Sequence, residues 1–104
     1  MPAYLIVRAD VEEASREKFD LWYEAEHLPD ALRDFRAVSA MRGWSDIERG
    51  IHLAFYEFPD LNTANNLLSS DLMKEFVKEF DRHWAGKVTR TREVFEVKQL
   101  LKKS

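Results

Sequence analysis

The sequence predicts a small α+β domain in which strands and helices follow one another in the order βαββαβ. Four apolar stretches are β-branched or alternate with polar residues, which is typical of strands. Two stretches between them repeat apolar side chains every three to four residues, which is typical of amphipathic helices. The length of 104 residues suits one domain, so residues 1–104 are expected to form a single unit.

The first strand and the first helix are expected in the N-terminal third of the chain. Residues 4–9 (YLIVRA) are apolar and rich in β-branched side chains, which predicts a buried strand. A helix is expected from about Val11 to Leu28, with Asp10 as its N-cap. Pro29 is expected to end or kink this helix, because a proline disfavours helical angles in the residue before it.

The rest of the chain supplies three more strands and a second helical region. These strands are expected in residues 37–44 (AVSAMRGW), 51–58 (IHLAFYEF) and 88–100. Gly50 is available for the positive φ of a hairpin between the two middle strands. A helical region is expected to begin near Asn62 or Thr63, to break near Ser69 and to run to about Trp84.

This order is the split βαβ arrangement of ferredoxin-like folds, with both helical regions on one face of a four-stranded antiparallel sheet. The third predicted strand is apolar on both faces, with Leu53 and Phe55 on one and Ala54 and Tyr56 on the other. Helices cover only one face, and exposed apolar patches of this size usually mark interfaces. A second copy of the sheet is the simplest cover. We therefore expect a homodimer paired through its sheet faces, a dimeric α+β barrel.

Composition excludes several classes of function. No run approaches the roughly 20 apolar residues of a membrane span, and nothing resembles a secretory signal, so a cytoplasmic protein without membrane contact is expected. The net charge of −3 and the lack of a concentrated basic face argue against nucleic-acid binding. Cysteine is absent, the three histidines are scattered, and no glycine-rich phosphate loop occurs. These absences predict a protein with no metal, haem or flavin cofactor.

Residues 19–32 (FDLWYEAEHLPDAL) form the strongest candidate for a functional site. Histidine titrates near neutral pH, so His27, expected at the lip of a cavity between helix and sheet, is the candidate general base. Helical spacing places Glu26 on the inward arc, where its carboxylate would pair with an arginine or stabilise developing charge. Alternatively, His27 is an exposed residue favoured by the helix dipole. The expected lining of a pocket for a small apolar or aromatic compound is Trp22, Tyr23, Phe55 and Phe80.

Other basic residues have simpler interpretations. His52 is expected to be packed within an apolar strand, and His83 to lie at a helix end where the dipole favours positive charge. Arg90 and Arg92 lie on one face of the last strand. They are expected to pair with acidic side chains, the candidates being Glu26, Glu57 and Glu93. Binding of a substrate carboxylate is the alternative.

Three features occur together in this sequence: Trp22-Tyr23 followed by Glu26-His27-Leu28-Pro29, an Arg42-Gly43 pair in a strand, and the helix end FDRHW at residues 80–84. Together they resemble the EthD-like branch of the dimeric α+β barrel superfamily. The resemblance implies ferredoxin-like subunits that pair through their sheets. Relatives include proteins of ethyl tert-butyl ether degradation, cofactor-free antibiotic-biosynthesis monooxygenases and stress-responsive barrel proteins. The resemblance therefore implies either an enzyme of the cofactor-free oxygenase, cyclase or isomerase type, or a non-catalytic binding protein with a closed pocket.

Overall fold

The structure, a computed structural model, describes residues 1–103 around a four-stranded antiparallel sheet ordered β2-β3-β1-β4. The strands are β1 (Ala3–Val11), β2 (Ser39–Trp44), β3 (Ile51–Phe58) and β4 (Val88–Glu96). Central β1 pairs on both sides, so that Val7 lies opposite Ala54 of β3 and Arg92 of β4. Gly50 ends the β2–β3 connection with a φ of 82°, as its position predicts. The predicted ferredoxin-like α+β class is confirmed.

The helices are α1 (Arg16–Trp22), α2 (Leu28–Phe35), α3 (Leu61–Leu68) and α4 (Asp71–Trp84). The last two are separate because each has its own N-cap. The Asp60 carboxylate accepts a hydrogen bond from the Thr63 amide at 2.8 Å, and the Ser70 hydroxyl accepts one from the Met73 amide at 3.1 Å. The predicted break in the second helical region is therefore confirmed. No helix among residues 1–103 is long and apolar enough to cross a membrane.

The first helical region differs from its prediction. The chain remains in β1 up to Val11, and α1 and α2 are joined by a π-helical turn over Tyr23–His27. The helical backbone thus continues to Phe35, and the expected end of the helix at Pro29 is wrong. Pro29 lies in the first turn of α2, a position where a helix tolerates a residue that lacks an N–H group.

The two faces of the sheet have different environments, as the alternation in β3 predicts. The helices cover one face, where side chains such as Leu5, Ala54 and Tyr56 are buried in the core. The other face, called the open face below, has no cover among residues 1–103. Its apolar side chains are Tyr4, Ile6, Met41, Leu53, Phe55 and Phe95. Met41 and Phe95 are 58% and 53% exposed, so a broad apolar surface faces solvent.

Candidate functional site

A cleft of about 370 Å³ opens between the helical segment 22–34 and α4. It is large enough for a small organic molecule. Its lining combines aromatic and aliphatic side chains with one histidine and several carboxylates. These residues are Trp22, Glu26, His27, Asp30, Asp34, Leu72, Glu75, Phe76 and Glu79. Three of the residues predicted from the sequence, Trp22, Glu26 and His27, therefore lie at one cleft.

The π-helical turn places His27 at the base of this cleft. The Leu28 amide donates to the carbonyl of Tyr23, five residues earlier, so the turn holds one residue more than an α-helical turn. His27 consequently lies on the same side of the helix as Trp22. The two rings are stacked, with centroids 4.6 Å apart and planes 19° from parallel. The His27 side chain is only 8% exposed.

The same turn reverses the expected positions of two neighbours. Regular helical spacing predicts Glu26 on the inward arc and His27 at its margin. In the structure Glu26 is exposed at the rim of the cleft, whereas His27 is buried. The additional residue in the turn rotates Glu26 toward solvent and His27 toward the core. Neither the predicted inward carboxylate nor the alternative of an exposed helix-end histidine is correct.

Burial determines the protonation state of His27. It lowers the pKa of the imidazole from 6.5 to about 4, and the charges of Arg90, His52 and His83 add to this effect against the opposing influence of Glu79. The ring is therefore neutral at pH 7. None of the side-chain hydrogen bonds among residues 1–103 involves His27, and its ring nitrogens are not among the fully enclosed atoms that lack a partner, so they stay accessible from the cleft. A neutral imidazole has one donor and one acceptor nitrogen, so His27 can bind a polar group or accept a proton in the cleft.

The pocket expected between helices and sheet is almost filled. Only an inner crevice of about 20 Å³ remains there, and His27 and Phe76 separate it from the cleft. Tyr23 occupies much of this space and is 1% exposed. Its hydroxyl lies 3.2 Å from the hydroxyl of Tyr56, so one of the two hydroxyls donates a hydrogen bond to the other. Close packing of these aromatic side chains leaves no room for a ligand beside the sheet.

Two further residues of the expected lining lie away from the cleft. Phe80 is a core residue, 2% exposed, and packs edge-on against Phe19 and Trp22. Phe55 belongs to the open face, because side chains alternate along β3. The expected lining of one pocket by Trp22, Tyr23, Phe55 and Phe80 is therefore corrected. Of these four residues, Trp22 alone contributes to the cleft.

Arg90 is a core-facing residue with an apolar partner. Its guanidinium lies 3.7 Å from the centroid of the Phe80 ring, and it approaches the Asp81 carboxylate at 3.8 Å. The predicted acidic partners of this arginine were instead Glu26, Glu57 and Glu93, and that prediction is wrong for Arg90. Burial lowers the pKa of the guanidinium without removing its charge at neutral pH.

A second buried histidine has a structural environment. The pKa of His52 is lowered to about 4 by burial and by Arg42, whose Nη1 lies 3.2 Å from His52 Nε2. The Asp20 carboxylate accepts hydrogen bonds from Arg42 at 2.8 Å and from the Trp44 indole at 2.7 Å. These contacts fasten α1 to β2 and β3. The sequence does not reveal this network, because its members come from three separate elements.

Of the carboxylates around the cleft, Glu26 alone is among the site residues predicted from the sequence. Glu26, Asp30 and Asp34 recur at four-residue spacing along one wall, and Glu75 and Glu79 do so along the other. Residues four apart share a helix face, so this spacing is a signal that the sequence contains. Residues 1–103 include no cluster of three or more His, Cys, Asp or Glu side chains arranged to hold a metal ion.

Comparison with known proteins shows the fold. No protein-family model and no curated protein matches the sequence. The structure is similar to a candidate antibiotic biosynthesis monooxygenase from Deinococcus radiodurans (TM-score 0.71, 10% identity, 98% of each chain covered). It is also similar to SnoaB, a cofactor-independent oxygenase from Streptomyces nogalater (TM-score 0.66 for a mutant, 12% identity, 98% of each chain).

A third similar structure is an ethyl tert-butyl ether D (EthD) family protein from Bacillus halodurans. It matches with a TM-score of 0.66 and 17% identity over 89% of this chain and 97% of the other. These likenesses confirm the predicted resemblance at the level of fold, since sequence identity is low throughout. The chain therefore has the ferredoxin-like α+β fold that the EthD family protein and the monooxygenase-like proteins share.

Proposed function

We propose that this protein binds a small aromatic compound in the cleft between the segment 22–34 and α4, and that His27 exchanges a proton with that compound. One observation carries the proposal: a neutral, buried imidazole without a hydrogen-bond partner lies at the base of a 370 Å³ cleft. The ring nitrogens have no hydrogen-bond partner among residues 1–103 but are not sealed from the cleft. A ligand in the cleft would supply one.

The lining of the cleft suits an aromatic ring with one polar substituent. Trp22 and Phe76 offer ring surfaces for stacking, and Leu72 adds an aliphatic contact. A hydroxyl or acidic C–H of the ligand placed beside His27 would donate to its unprotonated nitrogen. Proton removal from a small aromatic or carbonyl compound is the reaction class that this arrangement supports. Such a step begins cofactor-free oxygenation, cyclisation or isomerisation chemistry, as the fold resemblance implies.

A non-catalytic binding role is the second candidate. An imidazole with a pKa near 4 is a weak base, and general-base catalysis is most efficient when the pKa of the base lies near the working pH. The filled space beside the sheet also leaves the Tyr23 and Tyr56 hydroxyls out of reach of a ligand. In this second role the cleft holds the same compound, and His27 contributes a hydrogen bond without turnover.

A matched pair of histidine variants tests the proposal. His27 and His83 both contact Trp22, with ring centroids at 4.6 and 5.2 Å, but only His27 lines the cleft. Small aromatic compounds would be screened by NMR for shifts of the backbone amides of residues 22–34 and 72–79. We expect His27→Gln to weaken binding about tenfold, the equivalent of one good hydrogen bond, and His83→Gln to leave it within about twofold. Equal effects of both variants would contradict the proposal.

Turnover separates the two candidate roles. Once a binding compound is known, its conversion by the purified protein would be followed with and without oxygen. If the protein is an enzyme, His27→Gln lowers kcat about a hundredfold or more, because it removes the general base. Binding that depends on His27 without any conversion supports the non-catalytic role.

We also propose that two copies pair through their open faces. The support is the apolar surface of the sheet around Tyr4, Met41 and Phe55, which the chain's own helices leave uncovered. An interface near 1,600 Å² in total would cover this surface. Two adjacent substitutions test it by sedimentation and circular dichroism. Phe55→Asp should give folded monomers, whereas Tyr56→Asp should unfold the protein, since Tyr56 lies in the core. A wild-type monomer at micromolar concentration would contradict the pairing.

A further inference from the structure

The carboxylates are the only formally charged side chains that line the cleft within residues 1–103. Its lining contains five carboxylates, and no lysine or arginine belongs to it. Glu26, Asp30 and Asp34 lie along the wall formed by the segment 22–34, and Glu75 and Glu79 lie along α4. Opposite walls of the same cleft therefore both present negative charge. A concave site with charges of one sign on its walls concentrates ligands of the opposite charge.

Neighbouring basic residues neutralise this charge only in part. His83 lies 3.1 Å from the Glu79 carboxylate. The lysine and arginine pairs are Arg33 with Asp30 and Asp34, Lys78 with Glu75, and Arg82 with Glu79. These three cations are solvent-exposed and do not line the cleft. Exposed pairs of this kind are weak, and even with Arg90, whose charge acts on His27, four cations do not balance five carboxylates. Within residues 1–103, Glu26 has no basic partner and faces the cleft.

His27, at the base of the cleft, provides a second and independent indication that the cleft binds a ligand. His27 is more than nine-tenths buried and lines the cleft, and no hydrogen bond among residues 1–103 involves its side chain. Its ring nitrogens are not among the fully enclosed atoms that lack a partner, so a ligand in the cleft can reach them. Because the ring is neutral at pH 7, it offers an acceptor nitrogen and adds no positive charge that would repel a cation. The adjacent rings of Trp22 and Phe76 suit an apolar body and attract a cation through their π faces.

We infer that the compound bound in this cleft is an aromatic amine, with its ring on Trp22 and Phe76 and its ammonium group between His27 and the carboxylates of the rim. The inference rests on the proposed binding role of the cleft and specifies the charge of the ligand. An ammonium group has three donors and no acceptor, which matches an imidazole acceptor surrounded by carboxylates. A carboxylate or phosphate ligand would face repulsion from both walls.

Three probes of nearly equal size and different charge test the inference: 2-phenylethylamine, 2-phenylethanol and phenylacetate. Their dissociation constants would be measured at pH 7 by NMR titration of the full chain, in low and in high salt. We expect the amine to bind at least tenfold more tightly than the alcohol, and phenylacetate to bind most weakly. Salt should reduce the advantage of the amine, because part of it is attraction to exposed charges.

A matched pair of variants tests whether the carboxylates of the cleft rim recognise the charge of the ligand. Glu26→Gln removes a carboxylate from the rim, and Glu24→Gln removes one from the same helical turn that does not line the cleft. We expect Glu26→Gln to reduce the preference for the amine over the alcohol about threefold or more, and Glu24→Gln to leave it unchanged. Equal effects of the two variants would show only general surface attraction and would overturn the inference.

The probes distinguish failure of the inference from failure of the proposed function. If the alcohol binds as tightly as the amine and shifts the amides of residues 22–34, the inference about charge is overturned and the binding role stands. The concentration of 10 mM is well above the dissociation constant expected of a specific site. If none of the three probes shifts these amides at 10 mM, both the inference about charge and the proposed binding role are overturned. Tight amine binding that shifts other regions of the protein would also overturn the inference.

Discussion

Acidification should destabilise this protein partly through His27. The pKa of the imidazole is about 4 in the folded protein and near 6.5 in an unfolded chain. As the pH falls below 6.5, the unfolded chain therefore binds a proton that the folded protein does not, and stability decreases until the pH reaches about 4. The shift of about 2.5 pH units corresponds to about 3 kcal/mol at the limit, and about 2 kcal/mol is lost by pH 4.5.

The variant His27→Phe tests this magnitude because it keeps an aromatic ring against Trp22 and cannot be protonated. Free energies of unfolding would be measured by urea denaturation at pH 7.0 and pH 4.5. We expect the loss of stability between these two pH values to be about 2 kcal/mol smaller in His27→Phe than in the wild type. Groups that do not interact with His27 contribute equally to both proteins, so their effects cancel in this comparison, whereas the smaller interactions of His27 with His52 and Glu79 are part of the measured difference.

The control for this experiment is His83→Gln. His83 packs near the same tryptophan, but its side chain is one-third exposed and reaches the Glu79 carboxylate at 3.1 Å. We expect this variant to lose at least as much stability on acidification as the wild type. If His27→Phe and the wild type lose the same stability between pH 7.0 and pH 4.5, His27 is not a buried neutral histidine. The proposed role of its unprotonated nitrogen would then lose its basis.

Three other substitutions test the packing around the site, each by chemical denaturation at pH 7. Phe19→Ala should lower the free energy of unfolding by about 3–5 kcal/mol, because Phe19 is fully buried among aromatic rings, and a loss below 1 kcal/mol would contradict this packing. Gly50→Ala should cost about 1–2 kcal/mol, since φ is 82° and the Arg16 guanidinium lies against the glycine; no change would refute that geometry. Tyr23→Phe should cost about 1 kcal/mol by removing the hydrogen bond to Tyr56, and a stabilised variant would exclude this bond.

Local signals in the sequence are sufficient to predict most of the strands of the sheet. The bounds of β3 agree with prediction because eight consecutive residues, 51–58, lie between a glycine and a proline and are apolar on both faces. Strand β2 begins at Ser39, two residues later than expected, and β4 ends at Glu96 rather than at residue 100. Strand ends depend on pairing with the neighbouring strand, which a single sequence does not reveal.

The candidate site was predictable only in part, for two physical reasons. A helical wheel assumes a constant angle per residue, so it cannot anticipate the π-helical turn that exchanges the positions of Glu26 and His27. The aromatic packing that surrounds His27 involves Trp22 and Phe80, which come from different helices. The acidic spacing of each cleft wall is visible in the sequence, but only the folded chain brings the two walls together.

A crystal structure with bound 2-phenylethylamine tests the central claim, ligand binding in the cleft at His27, most directly. We expect the phenyl ring to contact Trp22 and Phe76, with the nitrogen about 3 Å from a ring nitrogen of His27. Occupancy of the apolar open face around Phe55, or a cleft that stays empty at saturating ligand, would contradict the claim.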